Sequence, residues 1–217
     1  MTAHQPIGSL ASLNASLTIA VFDAGNATDW VPTRPAATKA QFTGHPAEIM
    51  RGLSKGEELT PIDVGASSGY AFELEGTSGR IDAYRLDDAT LALLAPPRAW
   101  WIDPAHHGDH AEEVEALFEG ILAAAGRADA IEVGQLELRS GKLAAVYLWL
   151  KKVGAAKELA ATVPSGGAVE FGDGYGEGNG GLIVDLGPGR YLLMKREVTA
   201  PWDADQPLVA MYLVRDT

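Results

Sequence analysis

The amino-acid sequence predicts a mainly β protein: a β-sandwich with one amphipathic helix packed on a sheet. Three observations predict it. Residues 134–150, GQLELRSGKLAAVYLWL, alternate Leu136 and Leu138 with Gln135, Glu137 and Arg139, then pass Ser140-Gly141 into a long apolar run; a period of two is the signature of a strand. A strand, glycine-basic turn, strand pattern recurs at residues 72–86 (FELEGTSGRIDAYRL) and 184–193 (VDLGPGRYLL). Helical periodicity is sustained only in the segment that follows Asp109.

The three recurrences read as β-hairpins. Glycine at the second loop position, Gly141, supplies the positive φ of a type I′ turn. Glu73, Leu74, Ser78, Gly79 and Ala83 match Glu137, Leu138, Ser140, Gly141 and Ala145 across a two-residue gap. Two readings stay open: an internal duplication, or hairpins converging on similar turns.

Composition narrows the function classes. A chain of 217 residues with 47% hydrophobic content buries roughly 70% of its extended surface. Seventeen basic residues stand against 29 acidic ones, a net charge of −12. Binding to a nucleic-acid backbone needs clustered basic side chains, so nucleic acid is not an expected partner. The absence of cysteine excludes disulfides, thiolate metal sites and cysteine nucleophiles. No apolar run approaches the roughly 20 residues of a membrane-spanning helix, and the N-terminus lacks a signal-peptide pattern. A cytoplasmic protein without membrane contact is expected, and no cofactor is implied.

In chain order, residues 1–15 read as a mobile N-terminal arm, 16–95 as an N-terminal β half, 96–130 as connector and amphipathic helix, and 131–217 as a C-terminal β half. The two halves are compatible with one domain. Residues 16–23 alternate as a strand, and Trp30 lies in a proline-punctuated loop as a lid over the core. Pro46 opens a short helix with Ile49 and Leu53 one turn apart. Residues 65–69, GASSG, match the G-x-S-x-G nucleophile elbow, but the strand pattern that follows denies the serine a helix N-terminus, so the glycines are assigned to a turn. Pro96-Pro97 marks the internal boundary. Asp109 as N-cap and Glu112 three residues on form a capping-box-like pair. Val114, Leu117, Phe118, Ile121, Leu122 and Ala125 then make an apolar stripe, with Gly126 closing the helix. Residues 143–150 are apolar at both parities, so that strand is covered on both faces, by a second sheet and by the helix. Residues 155–162 fit a helical turn or a strand; 191–197 and 208–215 are strands joined by a loop at 200–207.

Three constellations are candidates for function. Asp103, His106, His107 and His110 offer the imidazole and carboxylate ligands that suit zinc, iron or manganese. The glycine-rich stretch 166–181 offers Asp173, Glu177 and Asn179 to calcium, or serves as a connector. Its G-x-G-x-x-G match precedes a strand, which rules out a dinucleotide fold. Glu112, Glu115 and Glu119 fall opposite the apolar stripe, and residues 103–137 carry nine acidic side chains against Arg127 alone. That acidic face is either solvated surface or a docking face for a basic protein.

The motifs ELRSGKLAA, TVPSGG, VDLGPGRYLL and LVAMYLV, within the last 84 residues, resemble small bacterial β-sandwich proteins of uncharacterised or immunity and nuclease-inhibitor type. The resemblance implies a non-enzymatic protein that binds and blocks a partner, and −12 suits a basic target such as a nuclease. It transfers no functional residue. The expectation is a binding or inhibitor-like protein whose contact surface is Glu112, Glu115 and Glu119, with no catalytic residue assigned. The alternative is a metal-dependent hydrolase at the Asp103, His106, His107 and His110 cluster, using metal-bound water as nucleophile.

Overall fold

The computed structural model describes residues 5–11, 17–32, 34–35, 42–56, 59–74, 80–95, 111–123, 128–148, 150, 153–172, 180–200 and 203–216. Its strands are β1 (Gly8–Ala11), β2 (Leu17–Asp23), β3 (Arg34–Pro35), β4 (Phe42–Thr43), β5 (Leu59–Val64), β6 (Ser67–Leu74), β7 (Arg80–Asp87), β8 (Thr90–Leu94), β9 (Ile131–Leu138), β10 (Lys142–Tyr147), β11 (Ala168–Phe171), β12 (Gly181–Asp185), β13 (Gly189–Ala200) and β14 (Asp203–Arg215). Its helices are α1 (His45–Leu53), α2 (Ala111–Leu122) and α3 (Ala155–Ala160), with a 3-10 turn over Ala24–Asp29.

Two six-stranded antiparallel sheets carry the fold. Sheet I runs β1-β7-β8-β14-β13-β9, and sheet II runs β11-β12-β10-β2-β6-β5. The predicted β-sandwich is therefore present. Between the sheets lies the main core, where Leu10, Ile81, Leu91, Leu136, Tyr191 and Leu213 of sheet I meet Ile19, Val21, Phe72, Leu143, Leu182 and Val184 of sheet II.

Both outer faces are also covered. The back of sheet II, with Ala20, Phe22, Ala144, Val146 and Ile183, packs under the 3-10 turn, Trp30, α1 and α3. The back of sheet I, with Tyr84, Ala92, Leu94, Ala210 and Tyr212, packs under Ile121 and Leu122 of α2. As expected, β10 is buried on both faces: Leu143 and Ala145 face the inter-sheet core, Ala144 and Val146 the back. The helical layer behind it is not α2, which lies on the other sheet, but the 3-10 turn and α3.

The three expected hairpins are corrected. β6 lies in sheet II and β7 in sheet I; β9 in sheet I and β10 in sheet II; β12 in sheet II and β13 in sheet I. The turns at Ser140-Gly141 and Pro188-Gly189 are thus arches that carry the chain from one sheet to the other, and the connection from β6 to β7, whose residues 75–79 lie outside the described residues, also joins the two sheets. A period-two pattern reports that a strand has an apolar face, not which neighbour takes its hydrogen bonds. Consecutive strands that pair within one sheet are β5–β6, turning at Gly65-Ala66 as the GASSG stretch implied, β7–β8, β11–β12 and β13–β14, with β3–β4 as a separate two-stranded pair.

Strand pairing maps one half of the chain onto the other. β1-β7-β8 matches β9-β13-β14, and β5-β6-β2 matches β11-β12-β10; the halves meet where β8 pairs β14 and β2 pairs β10. Antiparallel pairing of equivalent strands is the relation a local twofold imposes. The register agrees in detail. Leu10 lies opposite Ile81 and Gly8 opposite Ala83, as Leu136 lies opposite Tyr191 and Gly134 opposite Leu193. Ile62 lies opposite Gly69, as Phe171 lies opposite Gly181. At Gly69 a Cβ would stand 2.6 Å from the Val21 carbonyl and 2.8 Å from the Phe22 Cβ, so β2 approaches β6 there more closely than a side chain would allow. The arch 184–193 is therefore the counterpart of the connection 72–86, while the arch 134–150 corresponds to the passage from β1 to β2.

Several element expectations change. Residues 8–11, inside the expected mobile arm, form β1, because β7 offers them a strand edge and Leu10 enters the core with no exposure. Residues 168–171, inside the glycine-rich stretch, pair with β12. β13 and β14 extend into the expected 200–207 loop. The helix of 111–122 stops before Ala125 and Gly126, which lie outside the described residues. α1 starts at His45, with Pro46 in its first turn, and α3 settles residues 155–160 as helix.

The outermost strands of sheet I are met by side chains from sheet II. Glu170 Oε1 accepts from the Ser9 N–H at 2.8 Å, and the Tyr70 hydroxyl approaches the equivalent Gln135 N–H at 3.5 Å. Trp30 is the lid the sequence suggested, 5% exposed, stacked on Phe22 at 5.5 Å and on His45 at 5.0 Å.

Gly56 and Gly141 both have positive φ, +80° and +74°, but a Cβ at Gly56 would touch nothing within 4 Å, whereas one at Gly141 would meet the Pro188 nitrogen at 2.7 Å. Gly56→Ala is expected to lose only the left-handed penalty of about 1–2 kcal/mol. Gly141→Ala must also push two arches apart, and urea titrations of the two variants should show at least twice the loss for Gly141→Ala.

Candidate functional site

The acidic helix is fixed to the back of sheet I from its C-terminal turn. Tyr212, fully buried in β14, donates its hydroxyl to the Ile121 carbonyl at 2.8 Å. Arg196 of β13 donates to the Gly120 carbonyl at 3.3 Å and reaches the Asp129 carboxylate at 3.4 Å. These donors satisfy carbonyls that a helix end leaves without an internal partner, and a cation there complements the helix dipole. Phe118 meets the ring of Tyr84 edge-on at 5.7 Å.

With Leu117, Phe118, Ile121 and Leu122 pressed on the sheet, Glu112 and Glu113 of the first turn are exposed, and no basic residue occupies the last turn. Glu119 is half-buried rather than fully outward, near enough to Tyr84 to oppose its ionisation. Burial, followed by the Asp82 carboxylate that accepts its hydrogen bond, holds the Tyr84 hydroxyl well above its ordinary range. Glu115 belongs to the helix, but its side chain lies outside the described residues. Of the three expected contact residues, the structure places Glu112 on the surface and Glu119 at the rim of the helix–sheet junction.

Asp103, His106, His107 and His110 lie outside the described residues, as do Asp173, Glu177 and Asn179. Among the described residues no group of three or more histidine and acidic side chains is placed to hold a metal ion.

Polar groups that sequence reasoning missed sit where chain segments must be tied together. Asp23, 1% exposed at the end of β2, accepts from the Gly25 N–H at 2.8 Å, from the Ser140 N–H at 2.9 Å, and from the Ser140 hydroxyl. It ties the arch between β9 and β10 to the other half. Asp82 on the back of sheet I accepts from Ser9 Oγ at 2.6 Å, from Arg80 Nε at 2.6 Å and Nη2 at 2.8 Å, and from Tyr84. His45 accepts from the Val31 N–H through Nδ1 at 2.7 Å, and its Nε2 lies 2.8 Å from the Asp63 carbonyl, which fixes the Nε2–H tautomer. These groups spend their hydrogen bonds on the fold, which leaves none poised as a general base or nucleophile.

The arch between β12 and β13 is the densest polar region. The Asp185 carboxylate accepts from the Gly166 N–H at 2.9 Å and the Gly187 N–H at 3.3 Å, and pairs with Lys142 at 3.0 Å. Burial alone would raise its pKa; the Gly166, Lys142 and Gly187 donors outweigh that and hold it below the ordinary carboxylate value. Tyr191, almost fully buried, donates to the carbonyls of Leu186 and Gly187, the latter at 2.9 Å. Arg215 lies over its ring, 5.6 Å from the centroid. Burial raises the Tyr191 hydroxyl pKa against the opposing pull of Arg215 and Arg85. The turn glycines were visible in the sequence; the cations that gather on them come from β7 and β14, far away in the chain.

Comparison with protein-family models, with curated proteins and with solved structures found no match to this chain.

Two predictions follow from these bonds. Tyr212→Phe leaves the Ile121 carbonyl buried without its donor and is expected to cost about 1–3 kcal/mol in denaturant titrations, with loss of helix signal ahead of the main transition. Because the folded-state pKa of Asp185 lies below its unfolded value of about 4, its stabilisation is complete above that value and is lost as pH falls through the folded pKa. Asp185→Asn should therefore be less stable than the parent at neutral pH, and the difference should close on acidification below about pH 4.

Proposed function

We propose that this protein is a non-enzymatic binding or inhibitor-like protein that engages a basic protein partner through the outer face of α2. The observation that carries the reading is the first turn of that helix: Glu112 and Glu113 exposed, on a rigidly seated element with no basic residue in its last turn. Glu115 and Glu119 extend the acidic run along the helix, and the chain's net charge of −12 adds a long-range field of the same sign. Such a field accelerates encounter with a cationic surface and repels acidic competitors. The fully engaged states of Asp23, Asp82 and His45 support a binding role over a catalytic one.

The triple variant Glu112→Lys, Glu115→Lys, Glu119→Lys is expected to keep the parent's fold by circular dichroism and to lose its partner. Cross-linking in cell extract, followed by mass spectrometry, should place contacts of a basic protein on residues 111–122. Capture should weaken sharply between 0.1 and 0.5 M salt, as the screening length shrinks from about 10 Å towards 3 Å. Cross-links that avoid this helix, or capture unchanged in the triple variant, would sink the reading. A zinc- or manganese-dependent rise in melting temperature, abolished by His110→Ala, would move the assignment to the Asp103, His106, His107 and His110 cluster.

A further inference from the structure

At one end of the sandwich two guanidinium groups gather on the arch formed by residues 185–189. Arg85 of β7 and Arg215 of β14 share the parity of Ile81, Ala83, Val209, Met211 and Leu213, so both side chains enter the space between the sheets at its open end. Arg85 donates through Nε to the Gly166 carbonyl at 3.0 Å and through Nη2 to the Asp185 carbonyl. Arg215 donates through Nη2 to the Pro188 carbonyl at 2.7 Å. Both take backbone carbonyls, and among the described residues neither has a carboxylate within ion-pair distance. Lys142 is the third cation, and Asp185 is the carboxylate that pairs with it.

A carbonyl orients a guanidinium but does not neutralise it. Arg85, Arg215 and Lys142 gather around the one carboxylate of the arch, Asp185, with the Arg190–Asp216 pair and the acidic Asp87-Asp88 turn alongside, in a chain whose total is −12. Among the described residues Nη1 of Arg85 makes no hydrogen bond, Arg215 also reaches the Tyr191 hydroxyl, and neither guanidinium holds a buried unsatisfied nitrogen. The bonds already made hold both planar groups in place, so little side-chain freedom is lost when a ligand arrives. Arginine forks match the oxygens of carboxylates and phosphates.

We propose that this end of the sandwich is an oxyanion-binding site, in which Arg85 and Arg215 receive a phosphate or carboxylate group and Lys142 adds charge from the rim. The site lies at the arches, not on α2, and is independent of the reading given for the acidic helix.

The test titrates the full-length protein with inorganic phosphate and, separately, with succinate, each at ionic strength matched with chloride. Amide resonances of Gly166 and Gly187 should shift along a saturable curve. At a hundredfold excess over the dissociation constant the melting temperature should rise by about 5–11 °C. Phosphate also stabilises proteins generally by exclusion from their surface, so the decisive quantity is the difference between the parent and Arg85→Gln or Arg215→Gln. Both responses should vanish in either variant; should these not fold, Lys142→Gln retains the glycine bonds to Asp185 and should weaken binding several-fold. A response to phosphate alone identifies a phosphoryl ligand, to succinate alone a carboxylate, to both a general oxyanion site, and each supports the proposal. No saturable shift with either anion, or an equal response in parent and variants, overturns it.

Discussion

The pairing of β2 with β10 is the constraint from which the rest of the architecture follows. Val21 lies opposite Ala145 and Ala20 opposite Val146, and every side chain from Ile19 to Phe22 and from Leu143 to Val146 is buried, whichever face it occupies. A strand pair apolar on both faces cannot sit at a surface. Burial of each large side chain is worth roughly 1.5–3 kcal/mol, so one face demands a second sheet and the other a helical layer. The chain meets both demands twice, once in each half. After β2 it folds back as the 3-10 turn and α1, and after β10 as α3, all on the same side. The inter-sheet face is met by connections that deliver β7 and β13 to sheet I.

Much of this was legible in the sequence, and what was not fails for a physical reason. Alternation found β2, β13 and β14, and the 3.6-residue stripe found α2, because those patterns reflect burial within one element. The double apolar parity of β10 announced layers on both sides. The turn motif does recur at 72–86, 134–150 and 184–193, but only the first and last are equivalent in the two halves, since a turn sequence constrains local φ and leaves the choice of strand partner to distant residues. Ser140 illustrates the point: its arch is set by Asp23, 117 positions away. β1 was missed because four residues carry too little periodicity, and its order comes from the edge of β7. At the candidate site, helix periodicity sorted Glu112 correctly to the outside, whereas the half-buried state of Glu119 depends on Tyr84, which no helical wheel contains.

Buried charge in this molecule follows one rule: each carboxylate marks a place where two separate segments meet. Asp23 joins the end of β2 to an arch, Asp82 gathers β1 and β7, and Asp185 binds a loop, a strand and a turn. Removing Asp23 or Asp185 strips backbone N–H groups of their acceptor, and removing Asp82 strips the Ser9 hydroxyl, the Arg80 guanidinium and the Tyr84 hydroxyl of theirs, which is more damaging than the net worth of one hydrogen bond. Only Asp185 has an acidic counterpart by this register, Glu73, which accepts from the Thr18 hydroxyl instead, so the twofold relation resides in strand order and apolar register while the polar joints differ between the halves.

The outer edges of sheet I carry a consequence for how the molecule behaves in a crowd. A strand edge with free N–H groups is a template for another chain, and uncontrolled pairing there leads to aggregation. Glu170 holds the Ser9 N–H at ordinary hydrogen-bond length, but Tyr70 holds the equivalent Gln135 N–H only at 3.5 Å, in the strand whose first residue, Ile131, is 63% exposed. The two edges are thus unequally guarded. Self-association by strand addition begins, if anywhere on this sheet, at β9, and the charged side chains of Glu132, Glu137 and Arg139 are what stand in its way.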